Sequence, residues 1–593
     1  MRLLYPYLLA TLLLPVGGAA LGQSPVGNIN PEVKNSSDRA TSKERASKDR
    51  NRKNSGKNVA DKIAGFDEFL NAVNADFEDF RSQVIDNYDK WLAGEWVKFT
   101  PEPGRIRYTT PKPKELPVAP GADVAGAKAS VNSTTGLESL AASLAPEDAP
   151  GVVISSNNRE IWGAIGNQTL TAMTHNRDTQ RLIKDAQYRR TRPDDHTPGD
   201  WFTFYDMDLR IPSYDYQLIA TMRPYKYEDK GSHTALRENS AAQWRLLQDE
   251  KVGEIVGAEL KSLADSMNLN DYLRYELTRS YVNAKFPDAS QMSRTALVHY
   301  LLVHQGYGPL LGSSDGAAFI VLPAEQQLFQ KPAVPNTYNY LFNVDNEDLS
   351  KYNLTVNFFC VEPPKNVPGG KSFDFRLDNL KIPELPVDYT AAYGDIVLKG
   401  TVNALLMPIL HKYPQMSTEG FAESTVDAKF HKDLLDQVKA QVAGLSPEEA
   451  AEKLLSFTQW GFDYMTDDEQ HGFEKPYFLE ENFFYPANDC EDRSIFYTTL
   501  LWNVLGLESQ LLAYPNHESA SVKLPNCIRR DSYYYNYAGE PFVIADPTYQ
   551  GAPIGIAMDF YENLLPERVD LYLNSVWQEE REKEKEAAQE GNI

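Results

Sequence analysis

The sequence predicts a multidomain α+β protein, and three observations carry that prediction. At 593 residues with 42% apolar content the chain can bury several cores, because single domains run to roughly 100–200 residues. Residues 240–312 show apolar positions at helical period, as in AAQWRLLQDEKVGEIVGAELKSLADSMNL and SRTALVHYLLVHQGYG. Residues 336–400 switch to an extended pattern (YNYLFNV, YNLTVNFFCVE, DIVLKG) broken by Pro, Gly and Asn, and from about 401 to 565 the chain reads helix, loop, helix, strands. The 33 Tyr and 26 Phe suit a folded, partly β protein rather than a disordered one.

In chain order, MRLLYPYLLATLLLPVGGAALGQS has one positive charge, an apolar run and then small residues. That is the layout of a secretory signal peptide over 1–22, cut near Gly22 or Gln23. Its apolar run is short and broken by Pro15, which argues against an anchor, and no later stretch reaches the roughly 18 apolar residues of a spanning helix. The expectation is an exported chain (periplasmic, cell-surface or secreted) with no transmembrane anchor after cleavage. Residues 23–62 are polar and basic and read as a disordered linker. Over 63–97, Phe66, Leu70, Val73, Phe77, Phe80, Val84 and Trp91 recur every three to four positions, an amphipathic helix expected to dock on the protein's own body. Residues 98–150, Pro-rich and then rich in small residues, read as a linker of low order. Residues 151–330 read as an α/β accessory domain, with strands expected in 200–226; 331–400 as a β-rich region, 401–570 as a C-terminal α+β domain, and 571–593 as a charged tail.

A net charge of −24 and a pI near 4.9 exclude phosphate-neutralising nucleic-acid binding by the body of the protein. Three cysteines, Cys360, Cys490 and Cys527, are too few for a disulfide scaffold, and one pair at most leaves a free thiol. Residues 290–311 and 490–511 echo each other at a spacing of 200: Gly306 falls on Gly506 and Leu301 on Leu501. If this is a duplication, Ser290 stands where Cys490 does and no histidine lies within the stretch after the echo, so the first copy is a degenerate, inactive one.

The chemistry centres on ANDCEDRS, residues 487–494. Ile495–Leu505 is apolar nearly all round, as a buried helix requires, with Gly506 as its stop and Asn488 or Asp489 as its N-cap. Cys490 therefore sits at a helix start, where the helix field favours a thiolate and free N–H groups can hold an oxyanion. His517 follows at a strand start in YPNHESASV, and Asp546 ends the FVIA run of VIADPTY. A thiol nucleophile, an imidazole base and an acid that orients it form the set acyl transfer needs. Arg493 is close enough in sequence to pair with one of the acids beside Cys490. A zinc site from Cys490, Cys527 and His517 lacks ligand spacing, so no metal or other cofactor is expected. FNVDNEDLS lacks the form of a calcium loop, and His471 reads as a loop residue.

NDCEDRS, YPNHESASV and VIADPTY together resemble the catalytic core of the transglutaminase-like superfamily of papain-like-fold cysteine enzymes, over roughly 430–560. The resemblance implies a papain-like α+β domain with Cys490 as nucleophile, His517 as base and Asp546 as orienting acid. It also implies that Asp492 ties down the helix start and that a side chain upstream, Gln459 or Trp460, serves as a second oxyanion donor. The expected activity is hydrolysis of peptide or amide bonds in a protein or peptide substrate. The alternatives are glutamine acyl transfer (cross-linking) and a non-catalytic surface or assembly module.

Overall fold

In the computed structural model the described residues are 88–122, 199–212, 233–361 and 371–572, less a few single positions within them. The predicted export segment, the basic linker, residues 63–87 of the amphipathic helix, 123–198 and the charged tail from 573 onward lie outside them. The chain divides into two units, 1–83 and 84–593, and every described residue belongs to the second. The architecture is mixed α and β, with helices, two five-stranded antiparallel sheets and smaller hairpins.

The first sheet collects β1 (Val97–Phe99), β2 (Leu310–Ser314), β3 (Ala317–Pro323), β4 (Asn339–Phe342) and β5 (Phe358–Cys360) in the order β1-β5-β2-β3-β4. The proposed boundary at 330 therefore cuts through a sheet, since β4 and β5 complete the one begun at β2 and β3. Helices α1 (Asp271–Lys285) and α2 (Gln291–His304) belong with it. Asn270 and Ser290 cap them by accepting the N–H groups of Leu273 and Ser293. Leu297, Leu301 and Leu302 of α2 are fully buried. Close packing is visible at Gly312, where an added Cβ would lie 2.6 Å from the Phe358 ring. The expected strands near 200 appear as a hairpin, Asp200–Phe204 with Met207–Ile211. The described end of the predicted N-terminal helix is Tyr88–Leu92, and it docks on the body: Tyr88 stacks on Trp244 with ring centroids 4.3 Å apart.

The second sheet runs β8-β9-β7-β6-β10, built from β6 (Ser509–Tyr514), β7 (His517–Val522), β8 (Tyr534–Tyr537), β9 (Glu540–Ala545) and β10 (Arg568–Tyr572). Helices α3 (Pro447–Trp460) and α4 (Cys490–Leu500) pack beside it. Ser446 and Glu449 close α3 with a reciprocal capping box. Every residue of α4 is buried, and after a wide turn the helix stops at Gly506, whose φ of 69° is the left-handed conformation that glycine adopts without strain.

The two halves repeat one run of elements: buried helix, glycine stop, antiparallel hairpin, third antiparallel strand. The closing pairs Ser314↔Ala317 and Tyr514↔His517 are 200 residues apart, as are Gly306 and Gly506, both at positive φ. Residues 98–122, expected to be of low order, instead cross from one half to the other. Glu102 pairs with Ala333 in the first half, and Val118 bridges Gln550 in the second. Their proline content forbids regular structure of their own but leaves carbonyls and N–H groups free to pair with the body.

Two fully buried histidines give the fold a definite acid response. Burial holds His299 near 3, against a Pro309 carbonyl that works the other way, and burial with Lys475 and Lys412 nearby holds His411 near 3. Unfolded, both titrate at 6.5. The unfolded chain thus binds more protons between those values, and stability falls as pH drops below about 6.5, by roughly 1.4 kcal/mol per pH unit for each histidine. Urea midpoints from pH 7 to pH 4 should show this slope, and His411→Phe should remove about one proton from it.

Candidate active site

The first turn of α4 carries Cys490 beside the β6–β7 hairpin, where its Sγ meets the backbone of Glu518, and the loop after β9 brings Asp546 to His517 at the start of β7. All three are buried. Hairpin pairing Tyr514↔His517 sets the histidine at the very start of β7, and pairing Ala520↔Ala545 lays β9 beside it so that Asp546 follows at the same end. His517 Nε2 donates to Asp546 Oδ2 at 2.9 Å. Thr548 fixes the other carboxylate oxygen, with its N–H at 2.9 Å and its hydroxyl at 2.8 Å from Oδ1. Burial alone would raise the Asp546 carboxyl, but the His517 ring and the Thr548 bonds hold it below the usual range. A carboxylate can only accept, so Nε2 carries a proton, and in the neutral ring Nδ1 is the nitrogen with the lone pair.

Cys490 opens α4 directly after Asp489, the N-cap residue. Its Sγ takes a hydrogen bond from the backbone of Glu518, the neighbour of His517, and donates to Glu491 Oε2 at 3.2 Å. Tyr561 ties the set together: its ring lies 5.0 Å from that of His517, it senses the charge of both Cys490 and Asp546, and its hydroxyl donates to Asn516 in the hairpin turn at 2.9 Å. In this arrangement burial, Glu491 and Asp489 push the thiol well up, and neither Lys112 nor the Glu518 bond offsets them. The helix terminus does not outweigh the acids while the site is closed.

The acids form a buried cluster around one ammonium. Lys112 Nζ lies 2.7 Å from Asp489 Oδ2, 2.5 Å from Glu491 Oε1, 2.9 Å from Glu474 Oε1 and 3.4 Å from Asp467 Oδ2. Burial, with like charges adjacent, drives Asp467, Glu474 and Asp489 upward. Against its own burial, Glu491 is held down by Lys112 and by hydrogen bonds from Glu474 and Asp489. Lys112 and the hydrogen bonds of its neighbours thus favour the charged form of Glu491, while burial disfavours it in Asp467, Glu474 and Asp489. The oxygens of Asp467, Glu474 and Glu491 converge closely enough to grip a cation, and Lys112 supplies it.

Several predicted roles settle differently. Asp492 does tie the helix start: Oδ2 accepts from the Asp489 N–H at 3.1 Å and Oδ1 from the Tyr477 N–H at 2.8 Å. Arg493 pairs with no acid; fully buried, it donates to Asn488 Oδ1, Gln459 O and Phe462 O. Gln459 has no free donor for an oxyanion. Its amide N–H groups go to the carbonyls of Asp546 and Ala552, each at 3.0 Å, while Oε1 accepts from the Gly551 N–H at 3.1 Å. Trp460 stacks on Tyr393. Gln459 is thus taken up in the loop that follows β9, and the backbone N–H groups at the start of α4 are further candidate donors for an oxyanion. His471 bonds Tyr477, and all three cysteines are free. In the first half, Ser290 is the N-cap and Gln291, not Ser290, takes the place of Cys490: its side chain clasps both backbone groups of Ala318, at 2.5 and 2.9 Å. Sequence reasoning missed Thr548, Tyr561, Tyr108 and Lys112. Only Thr548, two residues after Asp546, carried a local signal.

Gln459 holds the loop that carries Asp546 by three buried hydrogen bonds, so Gln459→Ala should cost about 2–4 kcal/mol of stability. Chemical denaturation of the variant checks this.

No protein-family model, curated protein or solved structure matches the chain.

Proposed function

We propose that this protein is a cysteine-dependent enzyme of transglutaminase-like type that cleaves peptide or amide bonds through a thioester on Cys490. The observation that carries this reading is the buried His517–Asp546 pair, 2.9 Å apart, set beside the first turn of the helix that begins with Cys490. The pair fixes the imidazole tautomer so that Nδ1 serves as base.

The reaction proceeds in two halves. Sγ turns from Glu491, gives its proton to Nδ1 and attacks the carbonyl carbon. The carbonyl electron pair moves to oxygen, which faces the N–H groups at the start of α4. Collapse breaks the C–N bond, and the amine departs with the proton from the imidazolium. Water then gives a proton to Nδ1, attacks the thioester and releases the acid, and Sγ leaves as thiolate to regain its proton. An amine in place of water gives cross-linking by the same steps. Tyr561 and Thr548 position the imidazole and do not touch the reacting atoms.

Cys490→Ala should abolish turnover of peptide amides with the melting temperature nearly unchanged. His517→Ala should move the pH profile of Cys490 alkylation upward, because the thiol loses its base. Peptide-library hydrolysis, run with and without an added amine, together with alkylation rates from pH 6 to pH 10, reads both. Measurable turnover that Cys490→Ala leaves unchanged, or an alkylation profile indifferent to His517, sinks the reading.

A further inference from the structure

We propose that residues 108–119 are an autoinhibitory strap that occupies the cleft over Cys490, with Lys112 as its latch, and that the enzyme acts only when the strap lifts. The proposal rests on the catalytic reading of Cys490, His517 and Asp546.

One extended segment engages each of the three loops that carry those residues. At the histidine hairpin, the N–H groups of Thr109 and Thr110 donate to the Pro515 carbonyl at 2.8 and 3.0 Å. At the cysteine helix, the Lys112 ammonium enters the acid cluster and contacts Asp489 and Glu491, the residues on either side of Cys490. Near Asp546, Ala119 N–H donates to Gln550 O at 2.9 Å and the Pro117 carbonyl accepts from Gln550 N–H at 3.0 Å, the pairing an added strand makes. Between these points the Tyr464 hydroxyl donates to Pro113 O at 2.6 Å. Strap contacts thus replace those that an extended polypeptide substrate would make at the same edges.

The strap also accounts for the state of the thiol. The Tyr108 hydroxyl donates to Glu491 Oε2 at 3.1 Å, the same oxygen that Sγ contacts, and reaches Glu518 at 3.4 Å. Tyr108 and Lys112 both stand close enough to Cys490 for their charges to be felt. Beyond the cleft the seat is shaped for the strap: a Cβ at Gly551 would lie 2.4 Å from that of Ala122. The latch is built to be costly to expose in part, since removing one ion of a buried cluster leaves the others uncompensated. It opens as a unit.

The test is alkylation of the full-length protein by iodoacetamide under native conditions, mapped by peptide mass, for wild type, Lys112→Ala and Ala119→Pro. Lys112→Ala removes the latch. Ala119→Pro removes the N–H bonded to Gln550 without touching the acid cluster, so it stands in if the first variant folds poorly. Buried Cys360, in the first sheet, reports general loosening. The expected result is an alkylation rate at Cys490 raised at least ten-fold, with the rate at Cys360 unchanged. An unchanged Cys490 rate in the folded variants, or Cys360 rising in step with it, overturns the strap. Turnover by intact wild type as fast as by both variants also overturns it and leaves the catalytic reading standing. Fast labelling confined to Cys490 with no turnover of peptide amides overturns the catalytic reading instead.

Discussion

The start of α4 depends on a single ammonium. Four carboxyl groups from three stretches of chain meet out of water around Lys112. Each ionised acid would cost several kcal/mol of lost hydration there. The cost is offset by hydrogen bonds among the acids and by the Lys112 ammonium, drawn from a segment far away in sequence, which together hold Glu491 down against its burial. Asp489 is at once a member of this cluster and the N-cap residue of the helix that carries the thiol. The position of Cys490, the closure of the cleft and the charge balance are therefore one physical problem with one solution.

Around this charge centre the scaffold is made of buried backbone-directed hydrogen bonds. Arg493 joins the end of α3 to the start of α4, and Gln459 joins α3 to the loop after β9. Such groups are strong where the local dielectric is low and all their partners are present. The first half of the molecule meets the same architectural need without reactive groups: Gln291 braces helix to strand where the second half divides that work between Cys490 and Ser494, whose hydroxyl bonds Glu518 O at 3.0 Å. The frame is separable from the chemistry placed on it.

What the sequence made legible was local. The helix at 490, its glycine stop, the strand starting at His517 and the acid ending the FVIA run each follow from a pattern spanning a few residues, and so does the tie between Asp492 and Asp489. The 200-residue echo, visible through glycines and leucines, holds at the glycine stops and hairpin turns, but the two helices begin 199 residues apart, so the cap Ser290 lies one place before the counterpart of Cys490. The long-range roles were illegible for a common reason. Gln459, Arg493 and Lys112 are polar side chains whose partners lie up to several hundred residues away, and no periodicity reports on such pairs. Residues 98–122 carry no apolar period, so they read as linker, whereas their order comes wholly from the surface they cross. Of the stretch 63–97 read as an amphipathic helix, the described part is helical only over Tyr88–Leu92, and the chain enters β1 at Val97.

Lys112 precedes Asp489 by 377 residues. A ribosome therefore releases the strap long before the acids it will meet, and the cleft is completed in the presence of its own cover. Closure is intramolecular from the first moment, governed by the local concentration of a tethered segment rather than by the supply of a separate inhibitor. The segment that covers the start of α4 belongs to the same chain, so dilution does not separate the two.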